Sequence, residues 1–267
     1  MAAQLQRGEH EGFYNLYISG SDYMDGKQAV DITAVRHALQ GERDLKQLVN
    51  SIWQYEAAQS IVADLRDAKL SVEALIQIEA DKEARRKLSG ALMTHAVLSY
   101  CRATLPGSEG RAHIEMTGNY SVDQKKKHKR IVHLRNNVFA HFGMPSKEHG
   151  SGWIEERAII KIVGDREQPS FVRNRANYLG DVVEDLHELL QVAIDTGIAI
   201  REKRVAFMTE EIGKHVDDPR VGRAIKSSPF NPLKFFGAGQ MEDFWDYGQN
   251  VRGEAFRVRE RDKGRPE

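Results

Sequence analysis

Residues 125 to 142 read KKKHKRIVHLRNNVFAHF, and within them Arg135 and His141 stand six positions apart in an otherwise apolar helical pattern. These two residue types suit chemistry on a phosphate. A guanidinium fork matches phosphate oxygens, and an imidazole that titrates near neutrality can give or take a proton. On a wheel of about 100 degrees per residue, Ile131, Leu134, Val138 and Phe142 fall in one narrow sector, the stripe that must face a core. Arg135 lies about 40 degrees to one side of Ile131 and His141 about 80 degrees to the other. Both polar groups therefore flank a hydrophobic ridge and would sit at the rim of whatever packs on it, a second helix or a second subunit. A guanidinium buried without a partner costs roughly several kcal/mol, so an anion is expected to meet Arg135. The candidates are a phosphate, or a carboxylate of the same chain such as Glu184, Asp185 or Glu188.

The run that precedes the arginine, Lys125, Lys126, Lys127, His128, Lys129 and Arg130, is a local basic patch in a chain whose charges otherwise cancel, with 39 Lys and Arg against 39 Asp and Glu. Positive charge at a helix N-terminus opposes the macrodipole, so the run is not there for helix stability. A phosphate backbone is the partner it suits, and Lys125, Lys126, Lys127, Lys129 and Arg130 are the expected phosphate contacts. The bland alternative is a solvated charged turn. No global field recruits nucleic acid or a membrane.

Other chemistries find less support. His113, His128, His133, His141 and His149 crowd one region without a recognised ligand spacing, so no metal is expected. The solitary Cys101 sits beside Ala96 and Leu98 on the apolar side of its helix, as a small hydrophobe does, and one cysteine excludes an intrachain disulfide. No phosphate-loop or dinucleotide fingerprint is present, and no cofactor is expected. The opening residues, MAAQLQRGEHEG, lack the pattern of a secretory signal, and no apolar run of about 18 residues could span a bilayer. A cytoplasmic protein without a membrane partner is the expectation.

The elements that must position Arg135 and His141 read as helices. Residues 1–30 form an irregular arm that could pack through Phe13, Tyr14 and Tyr17. From Asp31 a helical pattern carries Leu45, Leu48, Val49, Ile52, Ile61 and Leu65, with Gly41 separating a short helix before it. A second helix is expected from Ser71, as N-cap, through Leu75, Ile78, Leu88, Leu92, Ala96 and Cys101 to Pro106. A polar loop of about 17 residues follows, long enough to suggest function or mobility. Ala158, Ile159, Ile160, Ile162 and Val163, then Gly164-Asp165 and Phe171-Val172, predict a β-hairpin inserted over about 153–173. A long helix runs from about Asn177 to Asp217, with a break expected near Gly197. The expected boundaries are an arm over 1–30, a helical domain over 31–218, and an aromatic-rich extension with a charged tail over 219–267. That extension, with Phe235, Phe236, Phe244, Trp245 and Tyr247, either drapes over the bundle or contacts a partner.

The segment LRNNVFAH resembles the R-x(4 to 6)-H signature of the HEPN superfamily of helical nucleotide-binding domains, with Arg135 as the arginine, Asn136 as the polar residue after it and His141 as the histidine. An arginine, an asparagine, then Val-Phe-Ala-His is closest to the abortive-infection and toxin-like branch. The helices on either side extend the resemblance over roughly residues 40 to 216, while the hairpin and the aromatic extension depart from the minimal domain. The resemblance implies an all-α, antiparallel helical bundle and a metal-independent endoribonuclease. Its active site would be assembled from two copies of the motif across a homodimer, with Arg135, Asn136 and His141 as site residues. It also implies RNA as the partner, a defence or toxin role, and an antitoxin or other protein partner. A catalytically silent HEPN domain that binds RNA, a nucleotide or a protein, and a plain helical oligomerisation module, are the alternatives.

Overall fold

The computed structural model describes residues 29–106, 110–139, 154–164, 166–175, 180–236 and 244–245. The fold is mostly helical with one small antiparallel sheet. In chain order the elements are α1 (Ile32–Leu39), a 3-10 turn (Arg43–Leu45), α2 (Lys46–Gln77), α3 (Lys82–Thr104), α4 (Val122–Leu134), a π-helical turn (Arg135–Phe139), strands β1 (Ile154–Val163) and β2 (Arg166–Arg175), α5 (Gly180–Lys214), α6 (Pro219–Lys226) and α7 (Pro232–Phe236). They form two compact units, residues 1–49 with 211–267, and residues 50–210. Phe13, Tyr14, Tyr17, Tyr247, His141, Phe142, His149 and the charged tail lie outside the described residues.

In the unit spanning 50–210, four helices share one core. Leu65, Val72 and Leu75 of α2, Met93, Val97 and Tyr100 of α3, Ile131 and Leu134 of α4, and Leu186, Leu189 and Leu190 of α5 are all buried within it. Full burial of each such side chain is worth about 1.5–3 kcal/mol, which outweighs the modest propensities of these segments. The break between the first two of these helices is not at Ser71. That residue lies inside α2, where its hydroxyl donates to the Asp67 carbonyl at 3.1 Å and meets His95 Nδ1 at 2.8 Å. A serine satisfied by the carbonyl four residues back need not cap anything. Asp81 is the cap instead, its carboxylate accepting from the Glu83 and Ala84 N–H groups at the start of α3.

Gly197 likewise does not break α5, which runs unbroken past it. A Cβ there would stand 3.2 Å from Val62 Cγ2 and 3.4 Å from Met116 Cε, so the glycine allows α2 and the loop before α4 to approach closely. From residue 110 on, the loop before α4 packs into the core. Ala112, Ile114, Met116 and Tyr120 are buried with the helices. Its polar anchor is Asp64 of α2, whose Oδ2 accepts from Arg102 Nε at 2.9 Å and from Arg111 Nη1 at 2.8 Å. Arg111 also donates to Ser60 Oγ at 3.0 Å and to the Arg102 carbonyl. Trp53 Nε1 donates to the Gly110 carbonyl at 3.3 Å, and Gly110 itself holds φ at 89°.

β1 and β2 pair in register from Ile154↔Arg175 to Val163↔Arg166 across the turn that begins at Gly164, where φ is 60°. Two-residue hairpin loops demand this left-handed backbone, and a glycine adopts it without steric cost.

In the other unit, Val35 and Leu39 of α1 and Val221, Ala224 and Ile225 of α6 are buried. A single bridge pairs Val30 with Pro229. Arg220 bonds Asp218, Asp44 and Glu42 through one guanidinium. Its hydrogen bond holds the Asp218 carboxyl well below the usual carboxylate range. The rings of the C-terminal segment pack on one another, Phe235 on Phe236 at 4.8 Å and Phe244 on Trp245 at 4.6 Å.

Asp64→Ala would leave Arg111 unpaired where its side chain is only 15% exposed. The expected loss is about 2–3 kcal/mol of unfolding free energy, below the full cost of breaking a buried pair because Arg102 can turn to water. Urea denaturation followed by circular dichroism measures it.

Candidate functional site

The site residues are placed by α4, and α4 is placed by its two ends and its buried face. Ser121 caps it, accepting from the Gln124 N–H at 3.1 Å while Gln124 Oε1 accepts from the Ser121 N–H at 3.0 Å, a reciprocal capping box. Ile131 and Leu134 are buried as the wheel requires. Along one flank α4 is bonded to α5. Gln124 Nε2 donates to Glu188 Oε1 at 3.0 Å, Lys127 Nζ reaches Glu188 Oε2 at 2.5 Å and Asp185 Oδ1 at 3.5 Å, and Arg130 bonds Asp185 at 3.1 Å and also Asp181.

These pairs revise the reading of the basic run. Lys127 and Arg130 are committed to carboxylates of α5, whereas Lys125, Lys126 and Lys129 are exposed and form no ion pair among the described residues. His128 is not part of the surface patch either. It is half-buried, with its Nδ1 2.9 Å from the Tyr100 hydroxyl. That hydroxyl is 3.0 Å from the Tyr120 hydroxyl, which donates to the Leu189 carbonyl at 3.3 Å. Three contacts need three protons and the two tyrosines supply two. The network therefore assigns the third to His128 Nδ1 and leaves the lone pair on Nε2. Burial pushes the imidazole below its ordinary value of 6.5, against a smaller opposing pull from the Glu115 carboxylate. Burial likewise raises the Tyr120 hydroxyl to about 12. A histidine between lysines gave no sign of this inward role; the only available signal was its place on the wheel, about 60 degrees from Ile131.

At Arg135 the helix changes. Its N–H is shared between the Ile131 and Val132 carbonyls, and Arg135–Phe139 is wound as a π-turn. Such turns close i→i+5 hydrogen bonds, so the regular wheel that serves up to Leu134 no longer holds from Arg135 to Phe139. The Asn137 side-chain amide donates to the His133 carbonyl at 3.0 Å, supplying a donor where the regular ladder is interrupted. The half-buried Arg135 donates from Nη1 to Asn136 Oδ1 at 2.8 Å, while Asn136 itself is exposed. The structure thus brings Arg135 and Asn136 together; His141 lies outside the described residues.

The carboxylates expected to neutralise Arg135 do not. Asp185 and Glu188 pair with Lys127 and Arg130, Glu184 is exposed, and Arg135 makes no ion pair among the described residues. Its charge is felt at Cys101, which is 1% exposed. Burial pushes that thiol up to about 12 against the opposing pull of Arg135, so it is no nucleophile. Among the described residues no three His, Cys, Asp or Glu side chains gather as metal ligands, and no helix is long and apolar enough to cross a membrane. The chain matches no family model, no curated protein and no solved structure.

Because the folded state holds His128 neutral below the pKa of an unfolded histidine, its contribution to stability is complete above about pH 6.5 and is lost as the pH falls through the lowered folded value. Wild-type unfolding free energy should therefore drop from pH 7 to pH 5 more steeply than that of His128→Gln, as read from urea melts at each pH.

Proposed function

We propose that this chain is a HEPN-like antiparallel bundle acting as a metal-independent endoribonuclease. Two copies each contribute Arg135, Asn136 and His141 to a composite site. One observation carries the reading: the half-buried Arg135 forms no ion pair among the described residues, the acidic residues of α5 beside its helix being taken by Lys127 and Arg130. The winding of the next residues as a π-turn adds support, because such turns recur at functional sites.

In the reaction the ribose 2′-hydroxyl attacks the adjacent phosphorus and gives its proton to a base. The P–O5′ bond breaks and the 5′-oxygen takes a proton from an acid, giving a 2′,3′-cyclic phosphate and a 5′-hydroxyl. Arg135 stabilises the negative charge that grows on the phosphorane oxygens, and His141 exchanges protons. One motif histidine serves only one of the two proton transfers, so a second copy completes the set. Asn136, holding the Arg135 fork through its amide oxygen, is a positioning residue. Lys125, Lys126 and Lys129 supply the phosphate contacts along the RNA. A cytoplasmic defence or toxin effector, restrained by an antitoxin, is the biological setting this activity fits.

Purified protein incubated with a mixed RNA pool in EDTA should yield 2′,3′-cyclic ends. Arg135→Ala and His141→Ala should each lower the rate by about 10²–10³-fold with the fold intact. Asn136→Ala should lower kcat by about fivefold with KM nearly unchanged, the worth of one hydrogen bond of about 1 kcal/mol. No cleavage by a folded, dimeric wild type would overturn the enzymatic reading in favour of a silent HEPN domain that binds RNA, a nucleotide or a protein.

A further inference from the structure

The β1–β2 hairpin has an open edge whose chemistry is self-complementary. Among its described positions from 156 to 173 none is buried, and Ile160, Ile162 and Phe171 are 64%, 71% and 63% exposed. Two-stranded hairpins are marginal in water unless further strands or a helix cover them. The register sorts the side chains by face. Ala158, Ile160, Ile162, Pro169 and Phe171 share one face with Glu167 and the Glu156–Arg173 ion pair, and Arg157, Ile159, Lys161, Val163, Arg166 and Val172 share the other.

The two edges differ. Pro169, in the middle of β2, has no N–H to offer a further strand, and proline is a usual guard against edge pairing. β1 carries no proline, and its centre, Ala158-Ile159-Ile160-Lys161-Ile162-Val163, is apolar apart from Lys161. Pairing β1 antiparallel with a second β1 about a two-fold axis through Ile160 sets Ile160 against Ile160 and Ala158 against Ile162. The apolar face then continues across all four strands. On the opposite face the same register sets Lys161 against Ile159 and Arg157 against Val163, so no like charges meet. Shifting the axis to Ile159 would oppose Arg157 to Lys161, and shifting it to Lys161 would oppose that lysine to itself, both unfavourable.

We infer that the free edge of β1 is where two copies of this chain join, forming a four-stranded antiparallel sheet in the order β2-β1-β1-β2 across a two-fold axis. This deepens the two-copy reading above and rests on its dimer, not on RNA cleavage. The backbone groups of both edges are satisfied by the union, and the exposed isoleucines of both hairpins come to lie side by side.

Sedimentation of the full chain should show a dimer, and Ile160→Lys should weaken its association about a hundredfold by placing two lysines on the axis. The substitution lies on an exposed strand, so helical circular dichroism should not change. In a second arm, a short bismaleimide should join two Ile160→Cys chains. It should not join two Gln168→Cys chains, whose thiols would stand about 14 Å or more apart across three strand spacings. Cys101, buried in the core, does not compete. A dimer that survives Ile160→Lys, or that cross-links at 168 and not at 160, would overturn the inference while leaving the dimeric nuclease standing. A wild type that stays monomeric would overturn it too and give the edge to a strand of some other protein. The RNA assay is scored separately, so loss of cleavage with an intact 160–160 cross-link would count against the nuclease alone.

Discussion

The rotation of α4 about its own axis decides what every polar side chain on it can do. Ile131 and Leu134 must enter the core, and Lys127 and Arg130 then fall against the carboxylates of α5. Those pairs are more than surface decoration, because Asp185 accepts from both cations and is itself half-buried. With the helix locked in that way, His128 has nowhere to turn but toward Tyr100 and Tyr120, and Lys125, Lys126 and Lys129 are left facing solvent. Arg135 comes at the end of this helix, after the acidic partners have been used.

The loop before α4 serves the same end. A segment of this length is costly to order, and its order here comes from buried apolar residues and from the fork of Arg111 on Asp64. Tyr120 closes the loop, its hydroxyl meeting both Tyr100 and the Leu189 carbonyl, so the cap at Ser121 and the start of α4 are fixed to α3 and α5 at once. Anchoring the N-terminal end so firmly leaves the C-terminal end as the place where the winding can change. The change occurs at Arg135, where one N–H serves two carbonyls and the π-turn begins.

Much of this was legible beforehand. The 3.6-residue spacing of Leu65, Ile131, Leu134, Leu186, Leu189 and Leu190 identifies core faces, since burial depends on side-chain type and period alone. The hairpin is equally plain from its β-branched runs around Gly164-Asp165. Ser71 and Gly197 misled for a shared reason. Serine favours caps and glycine weakens helix interiors, yet both lie inside helices, the serine bonded to Asp67 and His95 and the glycine close against Val62 and Met116. The aromatic extension was visible as a cluster of rings, but not that Phe230, Phe236 and Phe244 would stack on one another.

For the candidate site, the sequence by itself determined its vocabulary: an arginine, an asparagine and a histidine in one short motif, a cationic run before it, and an apolar ridge to hold them at a rim. Residue type and periodicity suffice for that, because they follow from covalent structure and helix geometry. Which cations remain available was decided only by the tertiary structure. Lys127 and Lys126 are chemically identical neighbours, yet one is bonded to Glu188 and the other faces water. The difference lies in the position of α5, dozens of residues away along the chain, and pairing between distant segments is a property of packing that no local pattern encodes.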